Sequence, residues 1–275
     1  MNDEHSSKMN LPIISISNLS VSFGNRPVLD HVNLDVYQGE ILVLLGGSGS
    51  GKTTLLRQIV GLSKPNTGSI QIWGVDITKC SEAELSSVRR RIGVAFQAGG
   101  LFNSLTVEDN VALPLRELTR LADSTIKLMV SMKLYAVEMQ EARKLYPPEL
   151  SGGMRKRAAF ARATALDPEI LIVDEPSSGL DPIVSAGLDE LILFFNRAFN
   201  MTILVVTHEL QSAFRIADRL AVLNQGSLIA IGSKEQLLHS AHPRIRQFLD
   251  RQPDAGSGKA EAFMEYFVRQ ASHEY

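Results

Sequence analysis

Apolar residues first alternate with polar ones along this chain and then close into unbroken runs. Ile14, Ile16, Leu19, Val21 and Phe23, then Val32, Leu34 and Val36, fall at roughly every second position. That is the period at which one face of an extended chain packs and the other stays wet, so these segments predict antiparallel strands. Ile41–Leu45 has no polar position at all, which predicts a strand buried on both faces. Residues 170–173 and 203–206 share that character. A helix is expected over residues 54–60, opened by Thr54 and closed by Gly61, and a short strand over 68–74. Ser81 and Glu84 have capping-box spacing and predict a helix to about residue 91, followed by a strand at 92–96.

From Gln97 the period changes. Val107, Val111 and Leu115, then Ile126, Met129, Val130, Met132 and Leu134, recur with helical periodicity, as on one face of a helix. Strand-like runs return only at Ile170. A helix over 183–197, a strand over 202–206, a helix over 209–217 and two short strands at 220–223 and 228–231 then follow. Ser233 with Gln236 caps a further helix. The expected fold is α/β: a P-loop core made of residues 12–97 and 168–240, carrying an antiparallel β subdomain, with a helical subdomain inserted at 98–167 and a C-terminal extension at 241–275. No internal repeat is visible, so one nucleotide domain is expected and not two in tandem.

Composition narrows the classes. The chain has 275 residues, 44% hydrophobic and 21% charged, with a formal net charge of −2. That allows a sizeable core and predicts no general attraction to nucleic acid or acidic lipid. Cys80 is the only cysteine, so no disulfide can form within the chain, which weakly favours a reducing compartment. The polar first ten residues show no signal-peptide core. No apolar run approaches the ~20 residues that cross a bilayer. A soluble protein is expected, with any membrane role exerted through a partner.

The chemistry lies in the loops. Gly46, Gly47, Ser48, Gly49, Ser50, Gly51, Lys52 and Thr53 form a full P-loop between a buried strand and a helix. The glycines let backbone N–H groups face phosphate oxygens, and the helix N-terminus at Thr54 adds its dipole. Lys52 is placed for the β/γ-phosphates and the Thr53 hydroxyl for Mg²⁺. The four apolar residues of 170–173 end in Asp174 and Glu175, at the strand end where open α/β sheets bind ligands. Asp174 suits Mg²⁺, through water, and Glu175 suits the polarisation of an attacking water. A plain strand ending in solvated acids is the competing reading. Leu150-Ser151-Gly152-Gly153-Met154 makes a second anion grip, with Ser151 as N-cap; an ordinary capped helix is its alternative. One domain with two phosphate grips suggests that the second serves a neighbour's nucleotide. The basic run Arg155-Lys156-Arg157 reads as support for this grip.

The order of P-loop, Gln97, LSGG, Asp-Glu, Gly179-Leu180-Asp181 and His208 resembles the ATP-binding cassette (ABC) ATPases over about residues 14–232. The resemblance implies ATP with Mg²⁺ and a head-to-tail dimer of two copies with two ATPs at the seam. It implies that Gln97 contacts Mg²⁺ and couples to the partner, that Asp181 lies at the dimer seam, and that His208 contacts the γ-phosphate. Phe23 falls where the family places an aromatic ring on the adenine; a core role on its strand is the alternative. Met154 departs from the usual glutamine, and a thioether cannot donate the amide's hydrogen bonds. Ser151, Gly152 and Gly153 remain to hold phosphate.

Leu101, Phe102 and Leu105, in a glycine-rich stretch after Gln97, suit a socket for another protein's helix, or else plug their own subdomain. This stretch, the Met-ended signature and the segment from His242 to Asp250 resemble the ATPase subunits of Mla/Mce-type phospholipid transporters. These maintain outer-membrane lipid asymmetry. That likeness implies a multi-span permease, a small STAS-domain protein and a periplasmic MCE-domain protein as partners, at the cytoplasmic face of an inner membrane. Other bacterial ABC systems, for lipoprotein release or amino-acid uptake, are the alternative, and soluble repair or translation cassettes a further one. A small nucleotide kinase would not need Gln97, Ser151–Gly153 or His208. Residues 252–259 read as a linker, and Phe263, Tyr266 and Phe267 as a helical stripe that packs on the second copy or on its own domain.

Overall fold

A computed structural model describes residues 11–97, 99–250 and 252. The chain divides into a large unit to Lys234 and a small one from Glu235 onward. In the large unit, β1 (Pro12–Phe23) and β2 (Arg26–Tyr37) form a long antiparallel hairpin, and β4 (Thr67–Ile72) and β5 (Val75–Asp76) extend it to a four-stranded sheet in the order β2-β1-β4-β5. This is the predicted antiparallel layer. β2 starts six residues before Val32, because the hairpin register runs from Phe23↔Arg26 to Pro12↔Tyr37 with several shifts. Asn18 and His31 take left-handed φ of 47° at these irregularities, which breaks the strict alternation. The expected strand at 68–74 ends at Ile72, because Trp73 and Gly74 turn with positive φ of 49° and 77°, and β5 follows outside it.

The second sheet is six-stranded, in the order β10-β9-β3-β8-β7-β6. β3 (Ile41–Leu45), β6 (Ile92–Ala95), β7 (Ile170–Asp174), β8 (Thr202–Thr207) and β9 (Arg219–Asn224) run parallel, and β10 (Ser227–Gly232) returns antiparallel on the edge. Every residue of β3, β7 and β8 is buried. The unbroken apolar runs are thus central strands covered on both faces. α1 (Lys52–Ile59) buries Leu55, Leu56 and Ile59 in one core with residues of both sheets. Each such side chain contributes about 1.5–3 kcal/mol on burial. α2 (Glu82–Arg90) opens with the predicted reciprocal capping box between Ser81 and Glu84.

Between β6 and β7 lie α3 (Val107–Leu118), α4 (Asp123–Ala136), a 3₁₀ turn at Pro147–Glu149, and α5 (Gly152–Ala163), with no strand among the described residues. Buried Val107, Val111 and Leu115 face α3's neighbours, as do Ile126, Val130 and Leu134 on α4. α6 (Pro182–Phe199) and α7 (Leu210–Ile216) complete the α/β alternation. α8 (Lys234–Leu238) begins directly after Ser233. In the small unit, α9 (Pro243–Leu249) opens on His242, whose ring accepts the Arg244 N–H at 3.2 Å. The expected linker beyond Gln252 and the stripe of Phe263, Tyr266 and Phe267 lie outside the described residues.

Candidate nucleotide site

The P-loop leaves β3 and enters α1 through Gly51 at φ 107°. A side chain there would meet the Val28 carbonyl at 2.9 Å, so both conformation and space demand glycine. The loop is buttressed from outside: Gly226, in the β9–β10 turn, donates to Ser50 O at 3.0 Å and accepts from Asp30 N at 2.9 Å. These segments enclose a cleft of about 500 Å³, lined by Phe23, Arg26 and Val28 on one side and by residues 49–54 on the other. Phe23 is 60% exposed at this cleft, so it is no part of the core. The first amides of α1 lack helical partners by position and make this end an anion seat. Gly47, Ser48 and Gly49 are exposed along the loop.

Lys52 is buried, and its ammonium donates to Gly46 O at 2.8 Å and Gly47 O at 3.0 Å, with Glu175 Oε1 at 3.9 Å. Burial pushes its pKa below the usual lysine value, opposed by the charges of Glu175 and Asp174. Asp174 ends β7, in register with Val206. Its pKa is raised, chiefly by burial and then by the neighbouring Glu175, against Lys156, Lys52 and Arg57. Glu175 leaves the strand at φ 48°, and its N–H is held by Val206 O at 2.8 Å. Its carboxylate then turns to His208, whose Nδ1 stands 2.8 Å from Oε2, and to Thr207 Oγ1 at 3.5 Å. Gln97 Nε2 reaches Ser178 Oγ at 3.4 Å, just past Glu175 in the chain. Lys52, Asp174, Glu175, Gln97 and His208 therefore converge on the ends of neighbouring parallel strands.

Asp174 Oδ1 is buried and has no hydrogen-bond partner among the described residues. A buried carboxylate oxygen without a donor is costly, and one beside a phosphate seat fits a hydrated Mg²⁺. No group of three or more His, Cys, Asp or Glu side chains that could hold a metal by themselves occurs among the described residues. Mg²⁺ shared between one or two carboxylates and a nucleotide's phosphates has no need of one. Asp174, Thr53 and Gln97 are the residues that would hold it.

The second grip lies apart. Ser151 caps α5, its Oγ accepting Met154 N–H at 3.3 Å. A side chain at Gly153 would meet Val184 Cγ1 at 2.6 Å, and one at Gly152 would meet Leu180 Cδ2 at 3.0 Å. Ser151–Gly153 is thus seated on the segment carrying Asp181. Asp181 itself is exposed and caps α6, accepting from Ile183 N and Val184 N at 3.0 Å each. None of these residues lines the P-loop cleft.

Two buried polar contacts escaped motif reading. Lys156, on α5, sends its ammonium to Gln97 O at 2.6 Å and Glu175 O at 2.7 Å. Asn110, fully buried on α3, organises the loop after Gln97: it accepts Phe102 N–H at 2.8 Å and donates to the carbonyls of Phe102, Leu105 and Thr106 at 3.0–3.1 Å. That loop leaves Phe102 exposed, on a groove of about 430 Å³ shared with Leu113, Pro114 and Leu118. Phe102 therefore does not plug its own core. The signal for both residues was a polar side chain inside an apolar helical face, which has to be satisfied by something.

Comparison with known proteins places this geometry in a class. The ABC transporter family model matches residues 29–178. Among solved structures, the dimeric ATP-binding cassette MJ0796 bound to ADP and Pi in a post-hydrolysis state has 30% identity and a TM-score of 0.74, covering 80% of this chain and 98% of that one. The structure of cbiO1 from Clostridium perfringens, part of the ABC transporter complex cbiONQ, has 25% identity and a TM-score of 0.77, covering 92% and 99%. The chain belongs to the ABC transporter family and is one of its ATPases.

More particular relatives fall in two groups. The intermembrane phospholipid transport system ATP-binding protein MlaF of Haemophilus influenzae is 44% identical over 90% of this chain and 93% of its own length. That of Escherichia coli K12 is 43% identical over 86% and 88%. The probable ribonucleotide transport ATP-binding protein mkl of Mycobacterium leprae is 45% identical, over 86% of this chain and 68% of its own length. The chain thus spans about two thirds of the mycobacterial relatives it matches. Among the described residues, no helix is long and apolar enough to cross a membrane.

Proposed function

We propose that this chain is the ATP-hydrolysing subunit of an intermembrane phospholipid transporter. It would act at the cytoplasmic face of an inner membrane, bound to a multi-span permease and associated through the complex with a STAS-domain protein and a periplasmic MCE-domain protein. The observation that carries this reading is end-to-end similarity. Identities to the phospholipid and ribonucleotide proteins are nearly equal, at 44% and 45%. The phospholipid relative, however, is matched over 93% of its length and the mycobacterial one over 68%.

In this reading two copies meet head to tail. Lys52 and the amides of the P-loop bind the ATP phosphates, Phe23 stacks on the base, and Ser151–Gly153 of the other copy close the site. Glu175 takes a proton from the attacking water. His208 turns from Glu175 to the γ-phosphate, and Asp181 lies at the seam. Bound Mg²⁺, held by Thr53, Asp174 and Gln97 with the phosphates, supplies charge neutralisation there. The exposed Phe102 and its groove form the permease socket.

Purification of the tagged chain with its co-purifying membrane subunits, followed by ATP-driven transfer of labelled phospholipid between the complex in vesicles and acceptor vesicles, tests the reading. Lipid transfer that needs ATP and is abolished by Glu175→Gln is expected. ATP-driven movement of ribonucleotides with no lipid transfer would overturn it.

A further inference from the structure

Lys156 is a buried cation that no step above uses. It lies on α5, five residues after Ser151, and is only 8% exposed. Taking an ammonium out of water is expensive unless its donors are satisfied. Here they meet two backbone carbonyls, those of Gln97 and Glu175, at 2.6 and 2.7 Å. Neither carbonyl belongs to regular structure: Glu175 has just left β7 with a left-handed φ of 48°, and Gln97 sits in the turn after β6. A non-glycine residue held at positive φ keeps that conformation only where its surroundings enforce it. Two clamps do so at Glu175: the N–H is bound to Val206 O at 2.8 Å, and the carbonyl to Lys156.

We propose that Lys156 is a positioning residue that fixes the backbone of Glu175 and Gln97 to α5, and so aims the Glu175 carboxylate at the attacking water. The inference rests on the reading of Glu175 as the hydrolytic base. Lys156 touches neither the cleft lining nor the P-loop hydrogen bonds, so its loss acts on turnover and not on nucleotide capture. A backbone shift of about 1 Å at a reacting group costs about 10²-fold in rate.

The experiment uses the full chain, with steady-state ATP hydrolysis, binding of a fluorescent ATP analogue and thermal melting measured on each variant. Lys156→Met should lower kcat about 10- to 100-fold while the dissociation constant of the analogue stays within about threefold of wild type. Lys156→Arg, which keeps charge and donors, should restore kcat to within about threefold of wild type. If Lys156→Met melts so low that binding is lost too, Lys156→Gln takes its place with the same expectation. A folded Met or Gln variant with kcat unchanged would overturn the inference. So would an Arg variant that is folded but as slow as the Met one. Glu175→Gln run in parallel separates the two readings: normal hydrolysis there removes the base assignment, whatever Lys156 does.

Discussion

His208 Nδ1 stands 2.8 Å from Glu175 Oε2 across the ends of β8 and β7. Glu175 Oε1 meanwhile faces Lys52 at 3.9 Å. The carboxylate thus lies between the Lys52 ammonium and the His208 ring. Glu175→Gln should retain ATP binding and lose about 10²–10⁴-fold in turnover, the usual value of a general base. Steady-state phosphate release checks it, and near-normal release would remove Glu175 from that role.

Lys52 donates to the carbonyls of Gly46 and Gly47 and so ties the loop to its own ammonium. Lys52→Ala removes the cation and the support together, so ATP affinity should fall about 10²-fold or more, as for loss of charge-assisted bonds. Calorimetric titration with ATP measures this. Retained tight binding would argue against the phosphate-grip role.

Asp174 gives a pH-dependent expectation. Burial raises its pKa in the folded state above the ordinary 3.8, so the native chain binds that proton more tightly than the unfolded one. Stability then falls as pH rises from that ordinary value through the raised one, and at neutral pH the ionised group is a cost. Asp174→Asn should therefore melt higher than wild type at pH 7 without nucleotide, by a margin that shrinks toward pH 4. The same variant should lose Mg²⁺-dependent hydrolysis. Melting scans across pH provide the check, and a lower melting point at pH 7 would contradict it.

Asn110 carries four hydrogen bonds into the loop that begins at Phe102. Asn110→Ala leaves a buried N–H and three carbonyls short of a partner, which costs on the order of 2–4 kcal/mol. Urea unfolding should show that loss. A change under about 0.5 kcal/mol, the range of surface substitutions, would mean the loop is held by something else.

Most of this architecture is legible in the sequence, for reasons that can be named. The runs at 41–45 and 170–173 are central strands because a parallel sheet covered on both faces admits no polar position. Ser81, Thr106 and Ser151 mark helix starts because their oxygens accept orphan amides. The start of β2 was hidden because residues 26–31 carry the register shifts of a twisted hairpin, where alternation fails. The P-loop and the pair Asp174 and Glu175 are readable because each follows directly on an unbroken apolar run. Lys156 and Asn110 were not, because both act on backbone carbonyls, which every sequence supplies and no motif encodes. Asp181 shows a related limit: its visible work is capping α6, and any role at a seam depends on a second chain.

Sedimentation of Glu175→Gln, alone and combined with Ser151→Glu, with and without Mg-ATP, asks whether Ser151–Gly153 closes on a neighbour's nucleotide. A carboxylate at 151 would face the neighbour's phosphate, while the P-loop of the same chain is untouched. Glu175→Gln should form an ATP-dependent dimer, and the double variant should stay a monomer that still binds ATP. A double variant that dimerises on ATP as fully as the single one would contradict it.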